Sequence, residues 1–308
     1  MEPAPAVLFT YQRPHHLRKT LAALAGNYGA NETPLIVFSD ASDHPDTAEG
    51  VQQVRDLLKT VRGFKEVRIC ERPERFGLAN NILSGVTEVL EDYGRVIVLE
   101  DDLVTHPAFL RYMNGALNAY TNDSRILSVS ASMPHRFRMR VPKRWPHDVW
   151  LSLRNLSTGW GTWREKWETV DWEIKTLETF RKDSAAHERF NLGGPDLTPA
   201  FLNAMDLGKD LWAARFSYAH FESGRYSVLP RRSYVRHIGY DGSGMNTFHN
   251  PYHRLDRIDD AVDAPVFPER LEPDEDLQRR FRRAFRTQGW IETWKRQQVL
   301  RKAAARQT

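Results

Sequence analysis

The 308-residue sequence predicts an α/β protein in which a Rossmann-like sheet is flanked by helices. Three observations carry that expectation. Short unbroken apolar runs (A-V-L-F-T at 6–10, P-L-I-V-F-S at 34–39, V-I-V-L at 96–99) read as strands buried on both faces. They alternate with segments of helical period, the pattern of βαβ units and a parallel sheet. Right-handed crossovers then place the carboxyl ends of these strands at one edge, where open α/β sheets bind ligands.

Taken in order, residues 6–10 form a strand broken by Gln12-Arg13-Pro14, and Pro14 opens a helix with apolar positions Leu17, Leu21 and Leu24. Residues 34–39 are a second strand ending on Asp40. From Asp46 a helix runs through Val51, Val54, Leu57 and Leu58. Residues 67–70 make a third, shorter strand. A helix over 76–93 follows, opened by Gly77 and periodic at Leu78, Ile82, Val86, Val89 and Leu90. The stop Asp92-Tyr93-Gly94 leads into the fourth strand at Arg95. A helix is expected over 107–120 and a strand over 126–130.

The fourth strand runs straight into Glu100, Asp101 and Asp102. Three adjacent carboxylates repel one another, and burying them unpaired would cost on the order of several kcal/mol. A divalent cation at the sheet edge removes that penalty. Oxygen ligands suit Mg²⁺ or Mn²⁺, and such ions usually hold a substrate's phosphates. A solvated acidic turn is the other reading of the triplet. Tyr11, Arg13, Asp40 and Arg75 converge on the same edge. Arg13 and Arg75 can clamp phosphates, and an aspartate after the second strand can accept from a base or ribose. Each arginine taken alone reads as a surface salt bridge, and the phosphate reading rests on a metal site at the same edge. Neither G-x-G-x-x-G nor G-x-x-x-x-G-K-[ST] occurs, so no dinucleotide fingerprint or P-loop carries the nucleotide.

Composition narrows the class. Hydrophobic residues at 41% and charged residues at 27% fit a globular chain with ample core. No apolar stretch reaches the roughly 18 residues of a membrane span. The start, M-E-P-A-P-A-V, lacks the basic and apolar regions of a signal peptide, and the single Cys70 excludes an intramolecular disulfide or a Cys-cluster metal site. A cytoplasmic location is expected. Residues 277–308 carry ten Arg or Lys against one Glu, a charge of +9, while the net charge is only +4. A nucleic-acid enzyme would spread basic charge along a groove, so no nucleic-acid partner is expected.

The second half opens with a basic, proline-punctuated loop over 134–146. A Trp-rich segment follows: Trp150, then N-L-S-T-G-W-G-T-W-R-E-K-W at 155–167, then Trp172. Trp163 and Trp167 are expected four apart on one helix, packed in the core. Trp160, between two glycines, is the candidate for a face on which a ligand stacks. Residues 176–200 read as a helix and a Gly-Pro loop, and Asp210 starts a helix through Leu211 and Phe221. A strand over 225–229 leads to S-Y-V-R-H-I-G-Y-D-G-S-G-M-N at 233–246, a glycine-rich loop that can approach a ligand closely. It carries His237 and Asp241, and His249 follows. A Pro/Asp-rich linker over 256–276 precedes a basic amphipathic helix over 277–308 with Leu277, Phe281, Phe285, Trp290, Ile291 and Trp294. Two readings of that tail stay open: peripheral contact with the inner face of a membrane, or packing of its aromatic face on the catalytic domain.

In this order the pieces resemble a glycosyltransferase of the A fold, in particular bacterial relatives of the N-acetylglucosaminyltransferase I family. V-L-F-T-Y-Q-R-P-H-H-L-R-K-T-L is similar to that family's opening strand and helix, whose Arg before Pro contacts the nucleotide. F-S-D-A-S resembles the second strand, whose Asp recognises uracil. V-L-E-D-D-L-V-T-H-P-A-F-L resembles the acidic motif, in which the last Asp holds Mn²⁺ and the two acids before it touch ribose and sugar hydroxyls. S-T-G-W-G-T-W is similar to the acceptor-side loop, and G-K-D-L-W to the segment bearing the catalytic base. V-L-P-R-R-S-Y-V-R-H-I-G-Y-D-G-S-G is similar to the strand and loop after it. The eukaryotic members have membrane stalks and disulfides, which this sequence lacks.

The resemblance implies one catalytic domain over 1–255, with a nucleotide-sugar half (1–133) and an acceptor half (134–255). It implies an inverting, metal-dependent transfer from a nucleotide sugar, UDP-linked, to a hydroxyl of a saccharide or lipid-linked acceptor, as in bacterial surface polysaccharide synthesis. Thr10, Tyr11, Arg13, Asp40, Arg75, Glu100, Asp101 and Trp160 would then face the donor. Asp102 and His237 would hold Mn²⁺ or Mg²⁺, and Asp210 would be the base. A sugar-1-phosphate nucleotidyltransferase shares such a sheet, but Y-Q-R-P-H-H-L lacks the glycine-rich loop it would need. A non-catalytic saccharide-binding protein on the same fold is the third reading.

Overall fold

The computed structural model describes residues 2–134, 138–208, 212–242, 258 and 261–304. In chain order the first half gives β1 (Ala6–Thr10), α1 (Pro14–Ala25), β2 (Pro34–Ser39), α2 (Pro45–Leu58), β3 (Glu66–Glu71), α3 (Leu78–Tyr93), β4 (Arg95–Glu100), β5 (Leu103–Thr105), α4 (Phe109–Ala119) and β6 (Ile126–Ser130). The second half adds β7 (Val149–Ser152), β8 (Trp160–Trp163), α5 (Arg164–Trp167), α6 (Leu177–Lys182), α7 (Ser184–Phe190), α8 (Leu197–Asp206), α9 (Trp212–Ser223), β9 (Tyr226–Pro230), β10 (Val235–His237), α10 (Glu275–Ala284) and α11 (Arg286–Ala304).

One eight-stranded sheet has the order β3-β2-β1-β4-β8-β6-β9-β7. The first four strands are parallel, as expected. β8 then inserts antiparallel between β4 and β6, so the sheet is mixed. This interleaving joins the two expected halves into a single body. Alternation along the strands sorts the core into two layers. Leu8, Leu35, Val37 and Leu99 face α1, α2 and α4. Val7, Phe9, Ile36, Phe38, Val96 and Val98 face α3 and α9.

Four elements were not legible as strands. β5, β7, β8 and β10 have three or four residues each and sit among loop-like neighbours. Trp163 therefore ends a strand rather than riding a helix with Trp167, although both rings are buried. Gly161 is required in β8, because a Cβ there would stand 2.6 Å from the Val96 carbonyl oxygen of β4. α3 begins at Leu78, two residues later than expected, because Gly77 takes φ 74° and ψ 164°, outside the helical region, a turn that the Asp40 carboxylate fixes by accepting from the Phe76 and Gly77 N–H groups (2.8 and 3.1 Å).

The described part of the expected linker is packed, not free. Leu271 is buried, and the Phe267 ring lies against Gly115, Tyr112 and Tyr120 along α4. The tail is two helices, not one, broken at Phe285. Leu277 and Phe281 of α10 pack on Trp150 and Leu229. No helix among the described residues is long and apolar enough to cross a membrane.

Candidate active site

The carboxyl edge of the parallel strands gathers the expected groups. Glu100 ends β4, and Asp101 and Asp102 turn the chain into β5. The turn is tied to α1 by Thr20, whose hydroxyl donates to the Asp101 carbonyl (2.8 Å) and accepts from the Leu103 N–H (3.2 Å). Thr10 Oγ1 and the Tyr11 N–H both donate to Asp101 Oδ2 at 3.3 Å. Arg13 Nη2 bridges the acids, 2.5 Å from Asp101 Oδ1 and 2.7 Å from Asp102 Oδ2.

One guanidinium faces three carboxylates, and the acidity of Glu100 and Asp101 reflects it. Burial of its carboxyl and then the charges of Asp102 and Asp101 push Glu100 up to about 8, against the pull of Arg13. Burial also raises Asp101. Burial works against the charged form of Arg13, but the two aspartates outweigh it and hold the guanidinium above its ordinary value. The triplet is thus short of positive charge, which is the electrostatic condition a cation-binding edge has before its ion arrives.

Asp102 offers an open ligand atom. Its Oδ1 is buried and accepts no hydrogen bond among the described residues. Gly239 lies so close that a Cβ there would stand 2.1 Å from Asp102 Oδ2, so only glycine fits. Antiparallel pairing of β10 with β5 sets His237 opposite Leu103, with Nε2 3.6 Å from Asp102 Oδ2. Its Nδ1 accepts from the Gly239 N–H at 3.1 Å, which leaves the proton of the neutral ring on Nε2. His237 would ligate a metal through Nε2 only if that backbone bond were released. No group of three or more His, Cys, Asp or Glu side chains among the described residues forms a ready cage. The donor set fits an ion that takes most of its shell from phosphate oxygens and water.

At the neighbouring strand end, Arg75 joins two expected residues. Its guanidinium lies 3.9 Å from the Tyr11 ring centre, and its Nε is 3.2 Å from Asp40 Oδ2. Asp40 also accepts from the Ala41 N–H at 2.9 Å as well as from Phe76 and Gly77. Oδ1 therefore has two backbone donors already, and Oδ2 has one beside its ion pair with Arg75, so a uracil imide would meet a carboxylate that is already engaged.

The acceptor-side expectations fare differently. Trp160 is 1% exposed, stacked between Trp167 and Trp212 and against Phe216. It is a core residue of β8, and the expectation of a ligand-stacking face is corrected: its neighbours come from α5 and α9 and occupy the ring's faces. Asp210 and His249 lie outside the described residues. Asp241, from the glycine-rich loop, reaches His16 of α1, with Oδ2 3.0 Å from Nε2. Glu222 sits in the last turn of α9, where it accepts from Thr176 Oγ1 at 2.5 Å. Thr20 and Gly239 escaped the sequence reading. A hydroxyl on the apolar stripe of Leu17, Leu21 and Leu24 was the one signal for Thr20, and Gly239 carried none beyond its glycine-rich loop.

A mixed α/β sheet with an acidic turn and two guanidinium groups at its carboxyl edge has the charge arrangement that suits a phosphorylated ligand. The sequence model of glycosyl transferase family 2 matches residues 6–177, and the chain belongs to that family. It is a glycosyltransferase of the A fold that uses a nucleotide-sugar donor. Among solved structures it is similar to the mannosyltransferase PcManGT from Pyrobaculum calidifontis in complex with GDP-Man and Mn²⁺, at 16% identity and TM-score 0.40, covering 72% of this chain and 70% of that one. It is also similar to S. aureus TarS, at 11% identity and TM-score 0.41, covering 77% of this chain and 37% of that one. Mouse xyloside xylosyltransferase 1 gives 11% identity and TM-score 0.37, covering 72% and 82%. These likenesses are of fold alone. No curated protein matches the chain at a significant level.

Proposed function

We propose that the chain is an inverting, metal-dependent glycosyltransferase that moves a sugar from a UDP-sugar to a hydroxyl of a saccharide or lipid-linked acceptor, in bacterial surface polysaccharide synthesis. One observation carries the metal-dependent reading: the buried Asp102 Oδ1 without a hydrogen-bond partner among the described residues, in a turn where three carboxylates face one guanidinium. The family-level resemblance to N-acetylglucosaminyltransferase I supplies the UDP and inverting parts.

In this reading Asp102 would hold Mn²⁺ or Mg²⁺, joined by His237 if its hydrogen bond from the Gly239 N–H were released. The bound ion would offset charge on the diphosphate leaving group. Arg13 shifts from the aspartates to a phosphate oxygen, Glu100 and Asp101 face the ribose and sugar hydroxyls, and Tyr11 with Arg75 borders the base. Asp210 takes the acceptor proton as the acceptor oxygen bonds to the anomeric carbon. The bond from that carbon to the phosphate oxygen breaks, and UDP leaves with its electron pair.

The test is a screen of nucleotide sugars for thermal stabilisation and slow hydrolysis, with and without Mn²⁺. Stabilisation by UDP-sugars that requires the metal is expected. Equal stabilisation in the presence of a chelator would remove the metal from the reading, and a preference for guanosine donors would remove UDP.

A further inference from the structure

We infer that the outer face of α11 is a docking surface for an anionic lipid bilayer, which holds the acceptor half of the enzyme against the membrane. The inference deepens the lipid-linked alternative for the acceptor and rests on it only for its purpose.

The tail uses its apolar residues in two different ways. Leu277 and Phe281 of α10 are buried in the domain. Trp290, Ile291 and Trp294 of α11 are 75, 43 and 62% exposed. The opposite face of α11 is the one that packs: Gly289 sits on Pro195, Asn203 Nδ2 donates to the Glu292 carbonyl at 3.3 Å, and Arg296 pairs with Asp206. Orientation is therefore fixed by α8, and the two tryptophans are turned outward by default. Indole rings favour the boundary between headgroups and acyl chains.

Charge selects the occupant. Arg286 lies one turn before Trp290 and Arg301 two turns after Trp294, so the aromatic stripe has basic ends, both exposed. Arg282, Arg283, Arg286 and Arg301 form no salt bridge among the described residues. A +9 segment carrying interfacial aromatics matches an anionic headgroup layer. The stripe is also attached at the right place. Arg154, close in sequence to the expected acceptor-side loop, stacks its guanidinium on Phe285 (4.1 Å) and pairs with Asp196 (2.9 Å), and α11 runs along α8.

The test is co-sedimentation of the full chain with phosphatidylcholine vesicles and with vesicles containing about one-third phosphatidylglycerol, at low and high salt. Binding to the anionic vesicles alone is expected, weakened by salt and reduced roughly tenfold or more in Trp290→Ala/Trp294→Ala. The substituted side chains are exposed, so an unchanged melting temperature accompanies that loss. No binding by the parent, binding equal on both vesicles, or binding unaltered in the double variant overturns the proposal. So does a concentration-dependent dimer that the double variant abolishes, since a second copy would then cover the stripe. UDP-sugar hydrolysis by the parent is read separately: its absence with vesicle binding intact would sink the UDP-sugar reading and leave the surface standing.

Discussion

The Arg13 guanidinium sits 2.7 Å from Asp102 Oδ2, on the carboxylate proposed to hold the metal. Arginine and ion would therefore compete for Asp102 until a diphosphate offers the guanidinium a new acceptor. Arg13→Met should bind Mn²⁺ more tightly than the parent in the absence of nucleotide. Its affinity for UDP should fall by about 1–3 kcal/mol, the scale of a lost charged hydrogen bond. Asp102→Asn keeps the shape but not the charge, and UDP binding should no longer respond to Mn²⁺. Calorimetry reads both. Unaltered Mn²⁺ affinity in Arg13→Met would end the competition argument, and Mn²⁺-dependent UDP binding in Asp102→Asn would move the metal elsewhere.

Asp40 has a structural duty beside its proposed one. It holds the Phe76 and Gly77 N–H groups and the Arg75 side chain, so it sets where α3 begins. Asp40→Asn exchanges one acceptor oxygen for a donor and should cost about 1–3 kcal/mol of stability. UDP affinity should fall with it, because Arg75 loses one of its carboxylate partners and keeps Asp43. Thermal melting and calorimetry separate the effects: weaker UDP binding at an unchanged melting temperature would assign Asp40 to base recognition alone.

Asp210→Asn should leave donor and metal binding near parental while cutting transfer by ~10²–10⁴-fold. Steady-state kinetics beside UDP calorimetry measure this. Asp241, paired with His16, and Glu222, bound to Thr176, are the controls. Near-parental turnover in Asp210→Asn, with Asp241→Asn or Glu222→Gln inactive, would transfer the role of base.

His220 should make the fold acid-sensitive. It is fully buried in α9, with Nε2 2.8 Å from Ser128 Oγ and Nδ1 2.7 Å from the Phe216 carbonyl. Burial pulls its pKa from 6.5 down to about 4. Below 6.5 the unfolded chain binds a proton that the folded chain refuses. Stability is thus fully present above 6.5 and is lost as pH falls toward 4, by up to about 3 kcal/mol. Urea unfolding between about pH 7 and pH 5 should show the slope, and His220→Asn should flatten it. A slope unchanged in that variant would place the sensitivity in other groups.

Much of this was legible in the sequence for a physical reason. Parallel strands are buried on both faces, so β1, β2 and β4 appear as unbroken apolar runs, and the helices between them keep a 3.6-residue period. Once these alternate, handedness alone brings Tyr11, Arg13, Asp40, Arg75 and Glu100–Asp102 to one edge. Their convergence was legible because most of these residues end a recognisable strand or open the helix after it.

The rest depended on partners far along the chain. Trp160 between two glycines looks available, and it is buried because Trp167 and Trp212 close over it. Gly239 is one of several glycines in its loop until β10 pairs with β5 and brings it against Asp102. In the tail, Phe281 and Trp290 follow the same local pattern of aromatics among arginines. Phe281 is buried by Trp150, while Trp290 is exposed because α8 takes the opposite face of α11. Local periodicity determined which segments are strands and helices. Which of their faces meets core, ligand or solvent was decided by long-range packing, since a helix cannot record in its own residues which neighbour will claim each side.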